Sequence, residues 1–422
     1  MCTDFLPRLS VMSSAPNEHD QTAPLRVAIV PDSFKGSASA SEVAEAMARG
    51  ARDAFTDHKV PVTVETLPFA DGGEGTLDAL LGAWDTTALT VETTDALGRP
   101  HLARYGSSPD GTIGVIEAAE ANGLPGVSDV PLQPLSATTR GVGPVVTALL
   151  DAGVEEILLC IGGSATTDGG TGLLSALGAR FLSADGAELP DGGGRLGDLA
   201  SLDLAGFDPR ARDVRWRIAC DVTNPLVGEK GAAAVFGPQK GAGPEDVRVL
   251  DAGLGRLADV LAEVTGRDVR ERAGMGAAGG MPATLTALLG AEVLPGARMV
   301  AEVLGAEQVL AGADLVLTGE GRFDGQSLNG KVVDAVRRLT PAYVPVVVIA
   351  GSVAVTEEEL RRSGVTAAFS VARGPQSLES MQEGAVSAIT WTAFNCCRLL
   401  AHHLGSSGRG RVGGQVLRPT PP

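Results

Sequence analysis

Short apolar runs and amphipathic helical stretches alternate along most of the chain. RVAIV (26–30) reads as a buried strand and is followed by the helical run ASEVAEAMARGARDAF. VTVETL (62–67) predicts a second strand, with a helix at TLDALLGA after an ADGGEG loop. Residues 86–117 break this rhythm: TTALTVETT, HLARYGS and TIGVIEA predict consecutive strands joined by DALGRP and SPDG turns, an antiparallel patch. Alternation then resumes. A helix at TTRGVGPVVTALLDAG leads to strand EILLCI (156–161), and strand WRIACDV (216–222) precedes the long helix EDVRVLDAGLGRLADVLAEV. The last third predicts strands at 313–318 and 344–350, a strand at AAFSVA, and a closing helix around 377–403.

At 422 residues the chain exceeds one ordinary core. Because both ends share the strand–helix rhythm while the middle carries the antiparallel strands and long loops, the expected fold is α/β with two α/β domains. One is a Rossmann- or flavodoxin-like parallel sheet formed by both ends of the chain (25–80 plus 290–404), and the other is a mixed α/β domain inserted at 81–289. Residues 1–24 and 405–422, rich in Ser, Pro, Gly and Arg, are expected to be mobile tails.

Composition narrows the chemistry. Hydrophobic residues make up 44% and aromatics 4%, so the core must come from Ala, Val, Leu and Ile, with 56 glycines allowing close backbone approach. A formal charge of −17 argues against nucleic acid and anionic membrane as partners. No apolar run is long enough to span a bilayer, and Pro7, Arg8 and Pro16 interrupt any signal-peptide core. The five cysteines lack metal-ligand spacing, and a reducing cytoplasm is the expected setting. Of five histidines only His58 and His101 lie in the body of the chain, so a general base is expected to be a carboxylate. Only five of the 34 basic residues are lysines, and Lys35, Lys230, Lys240 and Lys331 each adjoin a glycine. A lysine ammonium is a compact point charge suited to a phosphate oxygen.

Five loops follow predicted strands, and each carries an aspartate: PDSFKGS (31–37), FADGGEGT (69–76), GGSATTDGGTG (162–172), CDVTNP (220–225) and TGEGRFDGQSLNGK (318–331). Such loops converge on ligands in open α/β sheets, and glycines there turn backbone N–H groups inward. Taken singly, Asp, Ser or Thr in them serve equally well as helix caps, for instance Ser41, Asp78 or Thr138. Together, loops rich in Asp, Ser, Thr, Lys and N–H groups suit Mg²⁺-assisted phosphoryl transfer. Hydride transfer is disfavoured, since the strand-following loop GEGRFDG puts Asp324 where the third glycine of GxGxxG would fall. GQSLNGKV (325–332) has the G-x-x-x-x-G-K frame of a P-loop, but Val332 replaces the required hydroxyl and GEGRFD separates the frame from its predicted strand. It reads as a phosphate loop of another design.

The ordered stretches PDSFKGSASASEVA, PFADGGEGT, ATTRGVG, IGGSATTDGGTGLLSALGARF, ACDVTNPLVG, AAAVFGPQKGA, GAAGG, ADLVLTGEGRFDGQSLNGK and VIAGSV closely resemble the bacterial-type glycerate kinase family from about residue 26 to 353, and more weakly to about 400. The resemblance implies a two-domain α/β enzyme with an interdomain cleft, using ATP and Mg²⁺ to phosphorylate D-glycerate, usually to 2-phosphoglycerate. The alternatives are 3-phosphoglycerate as product, a related hydroxy acid as substrate, or a non-catalytic hydroxy-acid sensor; a homodimer is left open. On the motif positions, Lys35, Asp71, Asp168 and Lys331 are the expected catalytic residues. Asp32, Ser33, Gly72, Gly73, Glu74 and Arg322 are expected at the substrate. Gly162, Gly163, Ser164, Thr166, Gly169, Gly170 and Lys240 are expected at the triphosphate, and Asp221, Glu320 and Asp324 at Mg²⁺. The scarcity of aromatics leads to the expectation of an apolar, backbone-mediated purine pocket. Departures from the family pattern are Thr167 for Asn, Met281-Pro282 for Leu-Gly, and Val333 for Pro; none removes a charged candidate.

Overall fold

Ser39 starts the first helix, Ala40–Asp57, through a reciprocal cap. Its hydroxyl accepts from Glu42 N–H (3.3 Å), and Glu42 Oε2 accepts from Ser39 N–H (2.8 Å). The cap is Ser39, not Ser41. Val43, Ala44, Met47, Ala51 and Phe55 form the buried face, which packs on the last helix, Ala385–Ser407. Small residues set how closely these helices approach: a Cβ on Gly50 would strike the Thr390 carbonyl. The computed structural model describes residues 23–328 and 330–407, so most of both expected tails lies outside the described residues.

The chain opens with β1 (Leu25–Ile29) and β2 (Val62–Thr66), then continues through β3 (Leu89–Thr94), β4 (Pro100–Ser107), β5 (Ile113–Glu117), β6 (Glu156–Cys160), β7 (Arg180–Ser183), β8 (Leu199–Asp203), β9 (Arg215–Ala219) and β10 (Glu292–Leu294). It closes with β11 (Leu315–Phe323), β12 (Val346–Val353) and β13 (Ala367–Ser370). The two ends of the chain form one sheet, ordered β13-β12-β11-β1-β2 and parallel throughout. Counted within that sheet this is the 2-1-3-4-5 order of flavodoxin-like folds, with the topological switch between β1 and β11. The second sheet, β10-β9-β6-β5-β4-β3, is mixed. Its β3–β4 and β4–β5 pairs are antiparallel, where the broken rhythm at 86–117 predicts them, and the other pairs are parallel. β10 joins this sheet, so it extends to Leu294. The antiparallel ribbon β7–β8 was not legible in the pattern.

One correction bears on the site. GEGRF is not loop: β11 runs to Phe323, because β12 lies alongside it as far as Val353 and supplies backbone partners to residues the sequence assigns to a turn. The G-x-x-x-x-G-K frame therefore does follow its strand closely and precedes the helix Val332–Leu339. Val332 is fully buried in the core, which accounts for the missing hydroxyl.

The sheets share packing. One apolar cluster takes Ala28, Val30 and Val316 from the first sheet and Val115, Leu158 and Ala219 from the second. Leu77, Leu80, Met299 and Val300, from helices Thr76–Trp84 and Gly296–Leu304, join them.

Candidate active site

The loops after β1, β2 and β11 meet those after β6 and β9, so carboxyl ends of strands from both sheets border one cleft. Glycine makes this approach possible. A Cβ on Gly162 would lie 3.2 Å from Gly73 Cα, and one on Gly72 would lie 2.5 Å from Ala219 Cβ and 2.8 Å from Gly296 Cα. Gly72 also has φ +85°, which favours glycine. Gly72 and Gly73 therefore serve first to let the two sheets' loops pass in contact.

Two adjoining cavities occupy the cleft, of about 650 and about 540 Å³, and share Lys35, Glu74, Gly162 and Gly163 as lining. The first is also lined by Ser33, Ser37, Ser39, His101, Arg104 and Glu117. The second brings together Lys35, Lys240 and Lys331 with Asp71, Asp221 and Ser164. Lys35 is exposed and lies on both walls. Lys331 is the cap residue of helix Val332–Leu339. Lys240 is only 3% exposed; its ammonium donates to Ser164 Oγ (3.1 Å) and to the Thr166 carbonyl (2.6 Å), fixing the loop from beneath. Burial pulls Lys240 down to about 8, with the Asp168 charge opposing.

Several carboxyls are held partly neutral. Burial and the neighbouring Asp71 push Asp32 up to about 7, against Ser33 and Lys35. Burial raises Asp221 to about 6; the Gly296 N–H (2.9 Å) and Lys331 oppose, while Asp71 reinforces. Glu320 is raised to about 7 by burial, with Ser327 and Lys331 opposing and Asp32 adding. Its Oε1 has no hydrogen-bond partner among the described residues. Asp71 Oδ1 accepts from Gly73 N–H (3.1 Å), which fixes that carboxylate at the cavity. Glu117, which the sequence did not single out, is raised to about 7 by burial; it accepts from Leu77 N–H (2.7 Å) at the start of helix Thr76–Trp84.

Other expected residues are not at the cleft. Asp168 is fully buried, its carboxylate taking hydrogen bonds from Thr139 N–H and Oγ1 (2.8 Å each), Gly170 N–H (3.1 Å) and Gly172 N–H (3.3 Å). It ties two loops together and has no face for substrate. Thr166 is buried against Asn122 Nδ2 (3.2 Å). Gly169 and Gly170 pack against Leu257 and Met281, and the Gly169 carbonyl accepts from Thr284 Oγ1. The loop portion at the cavity is therefore Gly162–Ser164 alone. Arg322 and Asp324 pair with each other (2.9 Å) and line neither cavity, and the Gln326 N–H and Arg322 hold Asp324 below the usual carboxylate range. Asp32 does not line the cavities either; it accepts from Ser33 N–H (2.6 Å) and shapes the loop.

The glycerate kinase family model matches residues 27–401. The chain belongs to the glycerate kinase family. Family membership makes it a kinase, a phosphotransferase with an alcohol acceptor. It is 43% identical to the glycerate kinase of Bacillus subtilis (strain 168) over 370 residues, 87% of this chain and 96% of that one. It is 41% identical to the glycerate 2-kinase of Escherichia coli (strain K12) over 385 residues, 91% of this chain and 100% of that one. Among solved structures it is similar to the putative glycerate kinase 2 from Salmonella typhimurium LT2, with a TM-score of 0.82 and 43% identity, covering 92% of this chain and 100% of that one.

The departures from the glycerate kinase pattern are absorbed by the fold. Pro282 lies in the first turn of helix Met281–Leu289, where its missing N–H has no intrahelical partner to lose. Val333 is a core residue. Thr167 offers no donor to the cleft: its hydroxyl is buried and without a partner among the described residues.

The raised carboxyls predict a pH dependence of stability. Asp32, Glu117, Asp221 and Glu320 have folded values of about 6 to 7, above the roughly 3.9 to 4.3 of an unfolded chain. The folded state thus holds more protons across that window, and the stability these groups contribute is lost as pH rises through it. Scanning calorimetry is expected to give a higher Tm near pH 6 than near pH 8, roughly the two ends of the upper window. A Tm that is flat or higher at the alkaline end would show that these groups are ionised in the fold.

Proposed function

We propose that this glycerate kinase family member transfers the terminal phosphoryl group of ATP to the C2 hydroxyl of D-glycerate, giving 2-phosphoglycerate. The observation that carries this reading is the convergence of Lys35, Lys240 and Lys331 on a cleft that also holds Asp71 and Asp221. The Lys35 and Lys331 ammonium groups, with a glycine loop that the buried Lys240 holds, match a polyphosphate, and the carboxylates match a metal and a proton.

In this reading the triphosphate lies against the Gly162–Ser164 loop, whose position Lys240 fixes. Glycerate occupies the wall shared by the two cavities, near Ser33 and Glu74, so that Lys35 faces both reactants. As the bond from the C2 oxygen to phosphorus forms and the bond from phosphorus to the β-phosphate oxygen breaks, Lys35 and Lys331 neutralise charge on the transferred group. Asp71 takes the hydroxyl proton late and releases it to water. Mg²⁺ arrives with the nucleotide as part of the substrate. Among the described residues no group of three metal-binding side chains is arranged to hold an ion unaided. A site completed by phosphate oxygens and water needs only one or two carboxylates. Asp221, at the cavity, would be one; Glu320 lines neither cavity, and its buried, unpartnered oxygen on the Lys331 side would have to turn to the cleft to serve as the second. We read each sheet as the centre of one domain, with closure around the cleft excluding water. The assigned setting is the cytoplasm; no helix of the described residues is long and apolar enough to cross a membrane.

The test is purified protein with ATP, Mg²⁺ and D-glycerate, the product position being read by ³¹P–¹H correlation. Phosphate on C2 is the expected result. Phosphate on C3 overturns the position, and glycerate binding without turnover overturns the catalytic reading in favour of a sensor.

A further inference from the structure

The second cavity has two kinds of wall. One is charged, with Lys35, Lys240 and Lys331 beside Asp71, Glu74 and Asp221; the other is apolar, with Leu124, Val222, Phe236, Ala277 and Ala278. The chemistry of phosphoryl transfer uses only the first. Glycerate, a small polar anion, has no apolar face to set against the second.

To the expected apolar, backbone-mediated purine pocket, Phe236 would add an aromatic ring. It closes the short helix Ala232–Phe236, is half-buried, and lines the cavity. The next turn, Pro238–Lys240, returns the chain so that Lys240 lines the same cavity four residues later. That turn is held by Gly237 N–H donating to the Ala233 carbonyl (2.9 Å) and Lys240 N–H to the Gly237 carbonyl (2.9 Å). One pentapeptide, FGPQK, thus supplies a phenyl ring and a buried ammonium at a fixed separation. Leu124 is tied to the glycine loop by its N–H on the Gly163 carbonyl (2.8 Å). Ala278 keeps its methyl group at φ +45°, where glycine is usual.

We propose that Phe236, with Leu124 and the Ala277–Ala278 segment, is the surface on which the purine base of the nucleotide packs. This rests on the reading that the cleft takes ATP, and deepens it. A nucleoside triphosphate is the ligand class with both a flat heteroaromatic ring and a chain of phosphates, and this cavity offers an apolar wall and lysines together. Recognition of the base is by packing on a ring face, which is sequence-tolerant among purines.

The test compares wild type, Phe236→Ala and Phe236→Tyr for ATP binding by calorimetry, KM for ATP, KM for glycerate, and inhibition by inorganic tripolyphosphate. Tripolyphosphate has the phosphates and no base. Phe236→Ala is expected to raise Kd and KM for ATP about tenfold, the scale of one base–aromatic contact. Phe236→Tyr is expected to restore both, with tripolyphosphate inhibition and the glycerate KM unchanged throughout. Equal weakening of tripolyphosphate, a rise confined to the glycerate KM, or no change at all would each overturn the assignment. Should wild type fail to turn over glycerate, the kinase reading falls, and the ATP Kd values still decide this one.

Discussion

Replacing Lys35 by alanine is expected to lower kcat by about 10³-fold, the scale of one preorganised charge at a transferring group, and to leave Tm unchanged. The two halves of this expectation come from one geometric fact. Lys35 is exposed and makes no hydrogen bond or ion pair within the described residues, so folding does not depend on it. Yet it is the one lysine on the wall common to both cavities. In the reading proposed above, a charge there meets donor and acceptor together only as the phosphoryl group passes between them, which is the condition for acting on kcat more than on KM. Lys35→Arg is expected to recover little, since a planar fork does not replace a compact ammonium. Steady-state kinetics with both substrates varied, alongside a thermal melt, gives the answer. A loss under roughly tenfold in kcat would place the essential charge at Lys331 or Lys240 instead.

Gly72→Ala should be the most damaging single methyl group in the cleft. The position combines φ +85° with a would-be Cβ 2.5 Å from Ala219 Cβ and 2.8 Å from Gly296 Cα. Left-handed backbone costs a non-glycine residue about 1–2 kcal/mol, and overpacking adds about 1–3 kcal/mol. A loss near 3 kcal/mol is therefore expected in denaturant titration. The obstruction is made of backbone and a Cβ, neither of which can swing aside. The adjacent Asp71 must shift with the loop, so activity should fall as well. Gly98→Ala is the control: it too has positive φ (+79°), but a Cβ there meets nothing within 4 Å. If both variants lose the same stability, strain alone is at work and the contact between the two sheets' loops contributes nothing.

The parallel sheet was legible because RVAIV and VPVVVIA are short apolar runs and VTVETL an alternating one, spaced by helices, and the antiparallel patch because its turns carry Gly, Pro and Asp. The true length of β11 was not, because Gly-Glu-Gly-Arg reads locally as turn; only the neighbouring β12 makes it strand. Within the site, Lys35, Asp71, Asp221, Lys240 and Lys331 were readable from charged residues in glycine-rich loops after strands. Asp168 misled for a physical reason. Its loop looks the same whether the carboxylate faces a ligand or the N–H and hydroxyl of Thr139, and that partner comes from a distant segment. Glu117 carried no loop signal, being the last residue of a strand. Phe236 had one signal, its four-residue spacing from Lys240, which gains meaning only once the turn is seen to bring both to one cavity.

The apolar cluster shared by both sheets also bears on how this architecture can vary. Val115, Leu158 and Ala219 of the inserted segment rest against the same helices as Ala28, Val30 and Val316 of the flanking one. An excised insert would leave those side chains facing water, and the remainder would lose the far wall of its own interior. The insert is therefore not a transplantable module, and the two sheets are expected to melt as one cooperative body.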